Sequence, residues 1–210
     1  MSEKLQGERW ITSRRKRAID IAASTALLPI ATPICAVGAG AFFAESHVNP
    51  LLYQSRLGRG NLPTKIVKLR TMPFNRDFSD SSMGHADVRA SKVGKILRKT
   101  ALDEIPQVLH IFMGQMSVVG PRPLVPADVE RTMDLLSPSE QTEWQRARTI
   151  AKPGWLSEFG NLSRELEAKT DDYFLTRVEL DCEYLKTASL ETDMQIVRDT
   201  FGIGTAMVNA

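Results

Sequence analysis

Asp103 and Glu104 are adjacent carboxylates in a stretch otherwise rich in cations and apolar side chains, Leu97-Arg-Lys-Thr-Ala-Leu-Asp-Glu-Ile-Pro-Gln107. Carboxylates at a helix start can hold a divalent cation, and a positioned aspartate can attack phosphorus as a nucleophile. A plainer reading is also open: Asp103 as a cap and dipole partner, Glu104 as a surface acid. Thr100 and Asp103 have capping-box-like spacing, which predicts a helix starting there with Pro106 in its first turn. The cations nearby are Lys65, Lys68 and Arg70 upstream, Arg98 just before the pair, and Arg122 after it. Arg122 lies between Pro121 and Pro123, so its backbone is restricted and its guanidinium pre-aimed, a setting suited to bidentate phosphate binding. Each cation also has a bland alternative as a solvated charge on an edge or turn.

The elements that must position these groups follow from the pattern. Residues 64 to 72 alternate apolar and cationic side chains. They read as a short strand with Ile66, Val67 and Leu69 packed and the cations projecting. Residues 73 to 90 read as a polar loop. Val93, Ile96 and Leu97 share one face of a helix over about 90–98. Lys92, Lys95 and Lys99 occupy its other side, with Arg98 beside them, a pattern that suits an anionic surface or phosphate ligands. Pro126 to Arg148 reads as helix interrupted near Ser137-Pro138, followed by helices over Asp172–Lys186 and Leu190–Phe201. Trp144, Trp155, Phe159 and Phe174 read mostly as core, with a membrane interface as the alternative. Strands are few and no glycine-rich nucleotide fingerprint occurs. The fold class expected is therefore α+β, mainly helical, with a short sheet segment.

From Ala18 to Ala44 the only charged residue is Asp20. A bilayer core of about 30 Å needs roughly 20 helical residues, so the segment is long enough to enter one. Pro29 and Pro33 predict a bend near Thr32-Pro33. Both flanks are basic: Arg14, Arg15, Lys16 and Arg17 before, and Arg56, Arg59, Lys65, Lys68 and Arg70 after. That symmetry favours a bent helix entering and leaving on one face over a straight span. A cleaved leader is a rival, because Arg14-Arg15 resembles a twin-arginine start and Ala39-Gly40-Ala41 a cleavage site. A buried core helix is another. The organisation expected is a basic N-terminus and re-entrant membrane helix over 1–45 and a catalytic domain over 46–210.

Composition narrows the classes. A chain of 210 residues with 42% hydrophobic and 25% charged residues is an ordinary folding sequence. A formal charge of +2 gives no argument for nucleic acid. Cys35 and Cys182 do not make a disulfide framework, and His47, His85 and His110 show no ligand spacing.

Taken together, these stretches resemble the bacterial sugar transferase family, the monotopic polyprenol phosphate glycosyl-1-phosphate transferases. The resemblance rests on Lys16-Arg17 with Asp20, Thr32-Pro33, Gln54 with Arg56 and Gly58, and Lys68 to Met72. It continues through Asp87 with Arg89, Val93-Gly94, the run Leu97 to Gln107, Met116 to Pro123, and Lys152-Pro-Gly154. Glu179-Leu-Asp181 with Tyr184 is a weaker match. It implies a short catalytic form with a re-entrant membrane helix and a cytosolic catalytic face on the bacterial inner membrane. Its substrates would be a uridine diphosphate sugar (UDP-sugar) and polyprenyl (undecaprenyl) phosphate, and its cofactor Mg2+. In the family's terms Asp103 would attack the sugar-linked phosphate and expel uridine monophosphate (UMP), opening polysaccharide or glycoconjugate synthesis. Glu104 would bind the metal with Asp103 or handle a proton. Arg98, Arg70 and Arg122 would hold phosphate charge, helped by Lys68. The chain departs from the family pattern at Tyr53, at Ser55 and over Trp155-Leu-Ser-Glu-Phe-Gly160. Those departures motivate an alternative reading as a non-catalytic membrane-bound scaffold of a polysaccharide assembly pathway.

Overall fold

The computed structural model describes residues 5–73, 90–163, 166 and 170–202. The polar loop expected over 73–90, with Asp87, Arg89 and His85, lies almost wholly outside them. A short helix α1 (Gln6–Ile11) leads into the long helix α2 (Arg14–Ser46). Ser13 caps α2, accepting from the Lys16 amide, and His47 ends it in the left-handed conformation. The helix keeps its secondary structure through Pro29 and Pro33. Each proline removes the donor that would reach the carbonyl four residues back. Thr32 turns its hydroxyl onto the Leu28 carbonyl at 2.8 Å, a local bond of the kind that bends helices.

α2 is apolar enough to cross a membrane, with a mean hydropathy of 1.8 over its best window. It is not a core helix: Ile21, Ile30, Val37 and Phe43 are exposed. One stripe of the helix packs on the rest of the protein along its length, through Lys16, Asp20, Ser24, Ala31, Gly38 and Phe42, while the opposite face is exposed. At the first turns, Lys16 bonds Asp193 at 2.6 Å and Arg17 donates to the carbonyls of Ile111 and Phe112. Asp20 accepts from the Ser117 hydroxyl and the Val118 amide. At the far end Phe42 is fully buried, and Glu45 accepts from the amides of Lys92 and Val93. A leader cut after Ala41 or Ala44 would carry away Lys16, Arg17 and Asp20, which hold the later chain in place.

Strands β1 (Leu51–Leu57) and β2 (Pro63–Leu69) form an antiparallel hairpin, Gln54 opposite Ile66 and Leu52 opposite Lys68. Helix α3 (Lys92–Lys99) follows, capped by Ser91. Gly94 is required where α3 crosses the chain after β2, since a Cβ there would sit 2.0 Å from the Thr71 carbonyl oxygen. Helix α4 (Gln107–Met113) runs into β3 (Ser117–Val119). Helices α5 (Pro126–Leu135) and α6 (Pro138–Ile150) are separated where expected. Ser137 and Glu140 form a reciprocal capping box at the start of α6. Strand β4 (Gly154–Leu156) pairs in parallel with β3, and α7 (Glu158–Leu162), α8 (Asp171–Thr187) and α9 (Leu190–Phe201) complete the chain. The mainly helical α+β class with little sheet is what the structure shows.

The core gathers between these elements. Trp144 is fully buried among Leu124, Leu136, Val178 and Cys182, joining α6 to α8. Burying one such side chain contributes on the order of 2–3 kcal/mol. Phe159 and Phe174 pack with Tyr173, so the reading of these aromatics as core holds. Trp155 is the exception, only partly buried.

Candidate active site

One expectation about the acidic run needs correction. No helix starts at Thr100. Thr100 closes α3, its hydroxyl bonding back to the Ile96 carbonyl at 2.8 Å. Ala101 then adopts the left-handed conformation, φ 53°. Leu102–Glu104 form a single tight 3-10 turn, and α4 starts only at Gln107, with Pro106 at its cap position. The spacing of Thr100 and Asp103 fitted a capping box, but Lys92 to Lys99 had already formed the preceding helix, and Thr100 serves its end. The consequence is functional. Asp103 and Glu104 sit on a turn between two helices, with side chains free of helix-cap duty.

Glu104 faces the strand β2. Lys68 Nζ lies 2.6 Å from its Oε1, and Arg122 Nη2 lies 3.7 Å away. Burial alone would raise the Glu104 carboxyl pKa. The charges of Lys68 and Arg122, the Lys68 hydrogen bond and Arg56 outweigh that and hold it at about 2. Glu104 is therefore ionised at neutral pH. Asp103 is shifted the other way: burial raises its pKa and the neighbouring Glu104 charge adds to that, while Lys68 and Arg98 pull it down. One carboxylate is tied up by cations and its neighbour is held less tightly, an arrangement that separates an anchoring acid from a reactive one.

Arg98 reaches back to Thr71, Nε to Oγ1 at 2.8 Å, which fixes the end of α3 against the chain after β2. Arg70 Nε donates to the Asn49 carbonyl at 2.8 Å, at the start of the hairpin, and Arg70 is not among the residues lining the cavity beside Glu104. Of the cations named from sequence, the structure gathers Lys68, Arg98 and Arg122 around the carboxylate pair; Arg70 braces the hairpin.

The Arg122 turn is set by a contact between two distant motifs. Gly120 and Gly154 meet backbone to backbone: a Cβ on Gly154 would sit 2.2 Å from the Gly120 nitrogen. Pairing of β3 with β4 brings Lys152-Pro-Gly154 to that point. Arg148 donates to the Arg122 carbonyl at 3.0 Å and ion-pairs Asp181, which also accepts from Trp144.

A cavity of about 110 Å³ opens beside Glu104. Its walls include Arg56, Lys68 and Arg122, and also Asp128, Tyr173 and Arg177. The volume takes phosphate-sized groups; a whole nucleotide sugar needs several hundred Å³. Arg56 was visible in sequence as a basic flank of the apolar segment and a motif neighbour of Gln54, and Asp128, Tyr173 and Arg177 were not singled out. Their signal was weak because they lie on helices whose other residues read as ordinary amphipathic surface. Burial lowers the Arg56 pKa, with Arg122 adding repulsion, and burial pushes Arg177 down to about 10.

No group of three or more acidic, histidine or cysteine side chains gathers among the described residues. A metal ion here has two carboxylates to meet, one already paired to Lys68. That donor set fits magnesium, which commonly binds through one or two carboxylates plus substrate phosphates. It does not fit an all-protein cage.

The fold and site define a class: an apolar helix packed by one face on a domain whose cavity is lined with cations and carboxylates. Residues 11–206 match the family described as bacterial sugar transferase, and the chain belongs to that family. It is 35% identical over 189 residues to a UDP-glucose:undecaprenyl-phosphate glucose-1-phosphate transferase of Caulobacter vibrioides, covering 89% of this chain and 68% of that protein. A UDP-N-acetylgalactosamine-undecaprenyl-phosphate N-acetylgalactosaminephosphotransferase of Aeromonas hydrophila is 31% identical, over 88% of this chain and 42% of that protein. A UDP-glucose:undecaprenyl-phosphate glucose-1-phosphate transferase of Escherichia coli is 34% identical, over 87% and 38%. The chain thus spans about two fifths of the length of the last two relatives.

Proposed function

We propose that this protein transfers a sugar-1-phosphate from a UDP-sugar to polyprenyl (undecaprenyl) phosphate, with release of UMP, through a covalent phosphosugar on Asp103. The observation that carries the reading is the split of the carboxylate pair: Glu104, which lines the cation-rich cavity, is clamped by Lys68 and Arg122, and Asp103 adjoins it on the same turn without those bonds. The names of the relatives supply the substrate classes.

In the first displacement an Asp103 carboxylate oxygen bonds to the sugar-linked phosphorus. The bridging P–O bond breaks, and its electron pair leaves with UMP. In the second, a phosphate oxygen of the lipid attacks the same phosphorus and Asp103 departs as carboxylate. Neither step needs a net proton. Two displacements let a small water-soluble donor and a greasy acceptor use one site in turn. Lys68, Arg98 and Arg122 reduce the repulsion between the carboxylate and an anionic diphosphate and stabilise the charge that develops on it. Bound magnesium, held by Asp103 and Glu104 with substrate phosphates, would supply further neutralisation.

The lipid acceptor accounts for α2. From Lys16 to Phe42, some 26 residues or ~39 Å if straight, one face of the helix packs on the domain while Ile21, Ile30, Val37 and Phe43 stay exposed. That exposed apolar face, on a helix weakened at Pro29 and Pro33, is read as entering and leaving the inner membrane on one side. The catalytic domain then lies on the cytosolic face.

The test uses detergent-solubilised full-length protein with magnesium, polyprenyl phosphate and a panel of UDP-sugars. UMP release that needs lipid and is lost in Asp103→Asn supports the reaction. No release from any donor, and no phosphosugar adduct by intact mass, would leave the scaffold reading standing.

A further inference from the structure

The cavity has two walls. On one, Lys68 of β2 and Glu104 of the acidic turn face each other. The other is made by α5 and α8, which present Asp128, Tyr173 and Arg177. Arg122 stands between, 3.7 Å from Glu104. Arg56 of β1 lines the same space.

Arg177 differs from Arg148, the other buried arginine among the described residues, which leaves one nitrogen without a hydrogen bond but braces Arg122 and Asp181 and does not line the cavity. Arg177 is 3% exposed, yet its Nε and Nη1 have no hydrogen-bond partner. Asp128 Oδ2 is 3.6 Å from Nη1, an ion pair beyond hydrogen-bond reach. The guanidinium lies over the Phe159 ring, 4.7 Å from its centroid, and 5.9 Å from that of Tyr173. Stacking of this kind holds the plane of the fork without using its N–H donors. Arg17, by contrast, uses its donors on two carbonyls. A bracing arginine makes its bonds within the fold, whereas Arg177 is fixed in orientation with donors left over, beside a cavity that fits a phosphate.

Displacement at phosphorus places the incoming and departing oxygens roughly in line. Asp103 adjoins Glu104 on the acidic turn, so with attack from that side of the cavity the departing phosphate lies towards the α5–α8 side. We propose that Arg177, with Arg56, binds the nucleotide-side phosphate of the donor, so that the α5–α8 wall is the leaving-group site for UMP. The assignment rests on the reaction proposed above. It makes Arg177 a residue of the first half-reaction: UMP has left before the lipid phosphate attacks.

The experiment measures UMP on the full-length protein in detergent in three ways: binding by calorimetry, exchange of labelled UMP into the UDP-sugar without lipid, and discharge of the preformed adduct to polyprenyl phosphate. Arg177→Met should weaken UMP binding about 10- to 100-fold, the effect of losing charge-assisted hydrogen bonds. Exchange should slow in parallel, and discharge should fall far less. Arg177→Lys, which keeps charge but loses the fork, should lie between. Unchanged UMP binding in Arg177→Met overturns the assignment, as does equal slowing of exchange and discharge. If thermal unfolding shows that Arg177→Met does not fold, unchanged UMP binding in Arg177→Lys overturns it instead. Calorimetry separates the two claims. Wild type that binds UMP through Arg177 but turns over no donor sinks the reaction and keeps the site; wild type that turns over but binds UMP independently of Arg177 does the reverse.

Discussion

Two regions of this protein bury charge, and they bury it differently. Around the start of α2, every buried charge is answered. Lys16 meets Asp193 at 2.6 Å, and Asp193 also accepts from Trp10 and Tyr184. Asp20 accepts from the Ser117 hydroxyl and the Val118 amide. Across the cavity, Arg56, Lys68, Arg122 and Arg177 face Glu104 and Asp128, and two Arg177 nitrogens have no hydrogen bond. A satisfied network fixes a fold. An excess of cation in a cavity fits an anionic ligand that completes it. Both regions contain matches to the family pattern, so the pattern does not tell the two kinds of residue apart, whereas the bonding does.

The sharpest break of this comparison is at Asp103. Asp103→Asn should abolish lipid-dependent UMP release, by at least about 10³-fold, with little change in thermal unfolding. Asp20→Asn should do the opposite. It weakens a buried carboxylate that holds β3, costing roughly 2–4 kcal/mol in stability while UMP release per folded molecule stays near wild type.

Glu104 belongs to both sides and is read by pH. Its folded pKa of about 2 lies below the ordinary 4.5. It therefore contributes stability that is present above pH 4.5 and lost as pH falls towards 2. Acid unfolding monitored by circular dichroism should show that loss in the wild type, and less of it in Glu104→Gln. Asp103 must be ionised to attack, and its raised pKa places the acid limb of activity above the usual aspartate range. Arg98→Gln removes a cation that lowers that pKa, so the limb should move to higher pH. The smallest effect tests the satisfied kind at its weakest. The exposed pair Arg131–Asp171, 2.6 Å apart, should change stability by less than about 1 kcal/mol in Arg131→Ala.

The sequence by itself determined the local elements and the identity of the chemical groups. The alternation around Ile66 and Leu69 is a strand, Ser137-Pro138 splits two helices, and Leu190–Phe201 is a helix with the limits expected. These are short-range facts, set by side-chain periodicity and by what proline and serine do to the adjacent backbone. The adjacency of Asp103 and Glu104 is likewise covalent. Tertiary structure decided which cations serve them. Arg70 reads like Lys68 in sequence, two residues along the same chain, but β2 ends between them and Arg70 turns to the Asn49 carbonyl. Thr100 reads as a cap and proves to end the helix before it. Arg177, some seventy residues from Asp103, enters the cavity only because α8 packs on α5 and α6. No local pattern records that a guanidinium will be buried with its donors unused, because burial and partnership are properties of what folds around a residue.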